Sequence, residues 1–192
     1  MRSRGVVPLL SLLVFAAARA NGDTVLVRDG GPAAAVVLAG QPTRSAQLAA
    51  RELQEHIRLI TGATLPIVAE NAFQAGSATP VYVGESEATR RRGLRSDGFR
   101  TQEYLVRATG EEVILMGRDH ADTGPISYEA NGAWPGIDIH SPAFEVGTLY
   151  AVYDFLERIC GVRWYLPTDL GTAYGKKASL ACPPLDLSLI HI

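Results

Sequence analysis

Ser45-Ala46-Gln47-Leu48-Ala49-Ala50-Arg51-Glu52-Leu53-Gln54-Glu55-His56-Ile57-Arg58-Leu59-Ile60-Thr61, followed by Gly62, is the stretch on which the fold turns. Ala46, Ala49, Ala50, Leu53, Ile57 and Ile60 recur at steps of three and four, while Gln47, Arg51, Gln54, Glu55 and Arg58 take the opposite side. That is the period of a helix with one wet face and one face for a core. Thr43 or Ser45 can cap its start through a hydroxyl, and Gly62 suits a left-handed stop. A second stretch, Thr148 to Cys160, puts Leu149, Val152, Tyr153, Leu156, Ile159 and Cys160 on one side and Asp154, Glu157 and Arg158 on the other, and Gly161 ends it.

Between and around these helices lie short apolar runs bounded by turn residues. Thr24–Arg28 and Ala34–Leu38 flank Asp29-Gly30-Gly31-Pro32 and predict an opening hairpin. Leu65–Val68 and Pro80–Gly84 predict two more strands, with Pro66 tolerable only at a strand start or edge. Glu85–Leu94 predicts a short helix carrying surface arginines. Glu103–Arg107 and Glu112–Gly117 around Thr109-Gly110-Glu111 predict a second hairpin. Hairpins interleaved with helices imply an α/β fold of the α+β type, a mixed β-sheet with amphipathic helices packed over it.

Outward from this centre, residues 1–20 predict a secretory signal peptide. Arg2 and Arg4 precede an apolar run, and Ala18-Arg19-Ala20 is the small-x-small pattern of a cleavage site. The run contains Pro8 and is shorter than the roughly 20 apolar residues of a membrane span. The expectation is a secreted or periplasmic protein with no membrane attachment after cleavage. About 170 of the 192 residues remain, near the typical ~100–150 of one domain. A net charge of −2 and the single short cluster Arg90-Arg91-Arg92 argue against a nucleic-acid partner.

Serine-nucleophile, P-loop and dinucleotide patterns are absent from the sequence. Cys160 and Cys182 lack the CxxC spacing of a zinc site. In an oxidising compartment two readings of them stay open: a mutual disulfide, or Cys160 as a small buried residue. The segment Arg118–Gly147 is long for a loop within one domain and carries Asp119, His120, Asp122, Glu129, Trp134, Asp138, His140 and Glu145. Trp134 offers a flat face to a sugar ring, against the plainer reading of a solvated or interdomain loop. His120-x-Asp122 and Asp138-x-His140 match no metal spacing, so neither a metal nor a cofactor is expected. Arg163 and Trp164 are the other ligand-binding candidates, since arginine grips carboxylates bidentately. Against this stands a strand in which Arg163 pairs locally and the aromatics pack under the helix. His56 reads as a partly exposed helix residue.

Three stretches carry a resemblance: Ala49–Ile57 with Thr61-Gly62-Ala63-Thr64-Leu65-Pro66-Ile67; the hairpin ending in Leu115-Met116-Gly117-Arg118; and Gly147-Thr148-Leu149-Tyr150-Ala151-Val152-Tyr153-Asp154-Phe155-Leu156-Glu157 with Gly161-Val162-Arg163-Trp164-Tyr165-Leu166-Pro167. In this order, over roughly Thr24 to Gly171, they resemble the non-catalytic N-terminal domain of α-glucuronidase-like glycoside hydrolases and of a related uncharacterised secreted family. The resemblance implies an α/β domain similar to the one preceding the barrel in β-hexosaminidases. It also implies catalytic residues in a downstream barrel of the same chain, so none is assigned here. Two other roles stay open: a stand-alone module binding an oligosaccharide, and a small secreted hydrolase using the 118–147 segment. The domain is expected over residues 21–171, with 172–192 as a truncated C-terminal end. The string Leu-Ser-Leu-Ile-His-Ile at 187–192 resembles translated sequencing-adapter read-through and is set aside from the fold; if native, it is expected to open the next domain.

Overall fold

The first long helix, α1, spans Arg44–Thr61 in the computed structural model, which describes residues 22–126, 145–166 and 169–190. Residues 1–20, Glu129, Trp134, Asp138 and His140 lie outside the described residues. The side chain of Thr43 caps α1 by accepting from the Ala46 amide, and Gly62 stops it with φ of 81°. Any side chain at that φ crowds the following carbonyl. Gly62→Ala should therefore lower stability by about 1 kcal/mol in chemical denaturation, and no measurable loss would mean the stop is set elsewhere.

Strands β1 (Thr24–Arg28), β2 (Gly31–Pro32), β3 (Ala34–Leu38), β4 (Ile67–Ala69) and β5 (Thr79–Val83) precede the short helix α2 (Glu87–Arg91). Then come β6 (Glu103–Ala108), β7 (Val113–Gly117) and α3 (Gly147–Phe155), which runs into a π-helical turn, Leu156–Cys160, stopped by Gly161. Strands β8 (Arg163–Trp164), β9 (Thr172–Ala173), β10 (Leu180–Cys182) and β11 (Leu185–Ile190) complete the chain. No helix among the described residues is long and apolar enough to cross a membrane.

The main sheet has the order β11-β6-β7-β5-β3-β4 and is mixed. Strands β4, β3, β5 and β7 run parallel, and β6 and β11 are antiparallel to their neighbours. Successive side chains point to opposite faces, and the burial follows that rule. Ala34, Val36, Val81, Val83, Tyr104, Val106, Val113 and Leu115 meet α1 and α3 in the larger core, around the fully buried Phe155. Val37, Tyr82, Leu105, Ile114 and Met116 face the other way, with Ala88 of α2 over them. The architecture is α+β with amphipathic helices packed on a mixed sheet.

Three expectations are corrected. The opening hairpin does not form. β1 pairs with the two residues of β2 and with β10 and accepts from the Ala33 amide, while β3 enters the main sheet between β4 and β5. Four of the five residues of β3 are buried, which suits a central parallel strand rather than a hairpin arm with one wet face. Second, the packed unit extends past 171, because β10 and β11 are hydrogen-bonded into its two sheets. Third, residues 187–190 belong to the fold. Leu185, Leu187 and Leu189 alternate onto the larger core, and Asp186 on the other face pairs with Arg107 at 3.1 Å.

Candidate functional site

In sheets of this kind, ligands are held where parallel strands end and helices begin. Here β3, β5 and β7 end beside the N-termini of α1 and α3, and Asp119, two residues beyond β7, lies between them. Its Oδ1 accepts from the Thr148 amide at 2.8 Å and from Ser45 Oγ at 3.0 Å, and its Oδ2 accepts from Thr43 Oγ1 at 2.9 Å. One carboxylate thus accepts an amide in the first turn of α3 and holds the hydroxyls at the start of α1, Thr43 the cap among them, a placement favoured by the positive ends of both helix dipoles. Burial pushes the Asp119 pKa up, and the bonds from Thr148, Thr43 and Ser45 oppose that shift without overcoming it.

The backbone is tight here. Gly84 sits at φ of 79°, and a Cβ there would fall 2.7 Å from that of Ala46. A Cβ on Gly117 would lie 2.5 Å from the Gly147 carbonyl carbon, and one on Gly147 would lie 2.6 Å from the Arg118 amide nitrogen. Glycine is required at these three positions for the strand ends and the starts of α1 and α3 to approach this closely.

The segment after Asp119 leaves through a clamp. Asp119 bridges Val146, the His120 amide donates to the Glu145 carbonyl at 2.7 Å, and Arg118 pairs with Glu145 at 3.0 Å. Asp122 accepts from Arg44 Nη1 at 3.3 Å and from the Gly124 amide at 3.0 Å, and these contacts hold its carboxyl below the usual range. Asp119, read from sequence as a residue of a polar loop, is instead a part-buried acceptor that joins the starts of α1 and α3. Its partners Thr43 and Ser45 had the cap signature, but only the fold brings position 119 to them.

Arg163 and Trp164 lie past the other end of α3, about 20 Å along the helix from Asp119 at 1.5 Å per residue. The structure does not bring the two groups together. Arg163 donates to the carbonyls of Glu157 and Val162 at 2.7 and 2.8 Å and faces the Glu157 carboxylate at 3.7 Å, the local pairing weighed above. Trp164 meets the rings of His56 and Tyr153 edge-on, at 5.5 and 5.4 Å between centroids. His56 is more buried than its helical position suggests, with Nδ1 2.9 Å from the Glu52 carbonyl. Cys160 and Cys182 are unbonded thiols in the larger core. Burial pushes their pKa values up to about 12 and about 11, which leaves almost no nucleophilic thiolate at neutral pH.

No family profile matches the sequence, and no curated protein matches it. Among solved structures, the chain is similar to a family GH115 4-O-methyl-α-glucuronidase with specificity for decorated arabinogalactans. The TM-score is 0.55 at 16% sequence identity, over 86% of this chain. The match spans 18% of that enzyme's chain. At this identity the likeness is one of fold: the α+β unit described above recurs as a minor part of a much longer glycoside hydrolase.

Proposed function

We propose that this chain is a non-catalytic accessory domain of a secreted carbohydrate-active enzyme, a glycoside hydrolase whose catalytic barrel follows in the same polypeptide. The observation that carries the reading is the carboxylate at the strand ends, already engaged by the protein's own donors. Glycoside hydrolysis ordinarily needs two carboxyl groups some 5–9.5 Å apart across an open space for the sugar. At the described strand ends of this fold, the Asp119 carboxyl is engaged by three donors, and the neighbouring glycines are in close backbone contact. The likeness to 18% of a glucuronidase chain supports the same division of labour, with the chemistry in the remainder.

The test compares two polypeptides. The 192-residue chain and the product of its extended reading frame are assayed side by side on aryl glycosides of neutral and acidic sugars. The expected result is turnover by the longer polypeptide alone. Turnover by the 192-residue chain at about 1 s⁻¹ or more, an ordinary enzymatic rate, would refute the proposal.

A further inference from the structure

Among the described residues, the exposed large hydrophobic side chains are Trp164, Tyr165, Leu166 and Leu170, at 37, 74, 60 and 98% exposure. All four fall within seven consecutive positions, on and beside the two-stranded ribbon of β8 and β9. That ribbon is separate from the other sheets. Its backbone contacts are the Arg163↔Ala173 and Trp164↔Thr172 pairs and the Tyr165 amide donating to the Gly171 carbonyl at 2.7 Å. An isolated two-stranded ribbon is marginal in water, and clustered apolar exposure marks a surface that another body covers.

The rim has a definite chemistry. The ends of α1 and of the π turn converge here, and cations reach their last carbonyls. Lys176 Nζ donates to Leu59 at 2.6 Å, Lys177 Nζ donates to Cys160 at 3.4 Å, and Arg163 donates to Glu157. Lys176 and Lys177 are the chain's two lysines, in a protein whose net charge is −2. An apolar centre with a polar rim, here Lys176 and Lys177 beside the Arg163–Glu157 pair, is the anatomy of a protein–protein interface. A glycan platform fits less well. Leu166 and Leu170 offer no flat face to a pyranose, and the Arg163 guanidinium is already held by Glu157 and Val162.

We infer that the β8–β9 ribbon is the docking face of this domain, and that its occupant is the following domain of the same polypeptide, presenting an apolar socket with acidic groups at its edge. The inference rests on the accessory-domain reading and names the surface through which that role is exerted. The 18% share that this fold takes of the glucuronidase chain points to this occupant, and Lys176 and Lys177 at the rim suit acidic groups on it.

The experiment is hydrogen exchange on the full polypeptide and on the 192-residue chain. The expected result is exchange at 163–166 and 170–173 slowed by about tenfold or more in the full polypeptide, as for a segment whose local opening is suppressed. Tyr165→Ser with Leu170→Ser should abolish that protection while leaving the unfolding midpoint of the 192-residue chain unchanged, because both side chains are exposed in it. Equal exchange in the two proteins, with the full polypeptide active, would overturn the docking face and leave the accessory role standing. Concentration-dependent protection of the 192-residue chain would assign the face to a second copy, and protection by an added arabinogalactan oligosaccharide would assign it to glycan; either overturns the inference. A reading frame with no further domain would overturn both the inference and the role beneath it.

Discussion

Replacing Asp119 with alanine is expected to remove about 3 kcal/mol of stability, because three donors lose their acceptor at once in a part-buried site between two helix starts. The Thr148 amide has no alternative partner at the first turn of α3, so its loss is felt in full. The hydroxyls of Ser45 and Thr43 can turn toward other acceptors, and their share is smaller. Asp119→Asn keeps one acceptor oxygen and should lose only about 1 kcal/mol. Denaturant titration of the two variants checks the order. A loss from Asp119→Ala no larger than that from Asp119→Asn would show that α1 and α3 are not joined through this carboxylate.

The same residue carries a pH signature with a definite sign. Burial raises the Asp119 pKa above its ordinary value of 3.8. The folded state therefore holds the proton over a range in which the unfolded chain has released it. The part of Asp119's contribution that depends on holding the proton is fully present below the unfolded value and is lost as pH rises through the folded one. The stability of the wild type minus that of Asp119→Asn should thus fall as pH is raised from about 3.8, with other carboxyls cancelling in the difference. A difference that rises over that window would mean that the hydrogen bonds outweigh desolvation.

Local pattern and long-range pairing were unequally legible in the sequence. Helix α1 could be bounded almost to the residue because its stripe, its Thr43 cap and its Gly62 stop are all local. The β6–β7 hairpin was legible for the same reason: Thr109-Gly110-Glu111 both breaks and joins its strands. The fate of β3 was not. The turn at Asp29-Gly30 announces a reversal, but nothing in Ala34–Leu38 says that its partners are β4 and β5, in parallel, rather than β1. Parallel pairing leaves no turn to read. Leu185-x-Leu187-x-Leu189 does alternate as an edge strand should, but six residues of alternation do not say that the partner is β6. Asp119 was visible as a candidate yet not as a cap, since its partners stand 29, 74 and 76 positions away. Burial of a lone carboxylate is a property of the assembled sheet and two helices together.

Gly147→Ala should be comparably damaging, at about 3–4 kcal/mol, for a reason that involves no unusual backbone angle. A methyl group there would sit 2.6 Å from the Arg118 amide nitrogen and 2.8 Å from the carbonyl oxygens of Arg118 and Glu103. All three obstacles are backbone, held in place by the β6–β7 ladder, so the start of α3 must retreat instead. Overpacking of this kind costs about 1–3 kcal/mol by itself. The retreat also pulls the neighbouring Thr148 amide away from Asp119, which loses a hydrogen bond to a carboxylate worth a further ~1.5–3 kcal/mol. The two losses share one contact, so they should not add. In a double-mutant cycle, Gly147→Ala combined with Asp119→Ala should cost less than the sum of the single changes by at least about 1 kcal/mol. Strict additivity would show that the helix start can shift without disturbing its cap, and that the glycine contact and the buried carboxylate hold α3 independently.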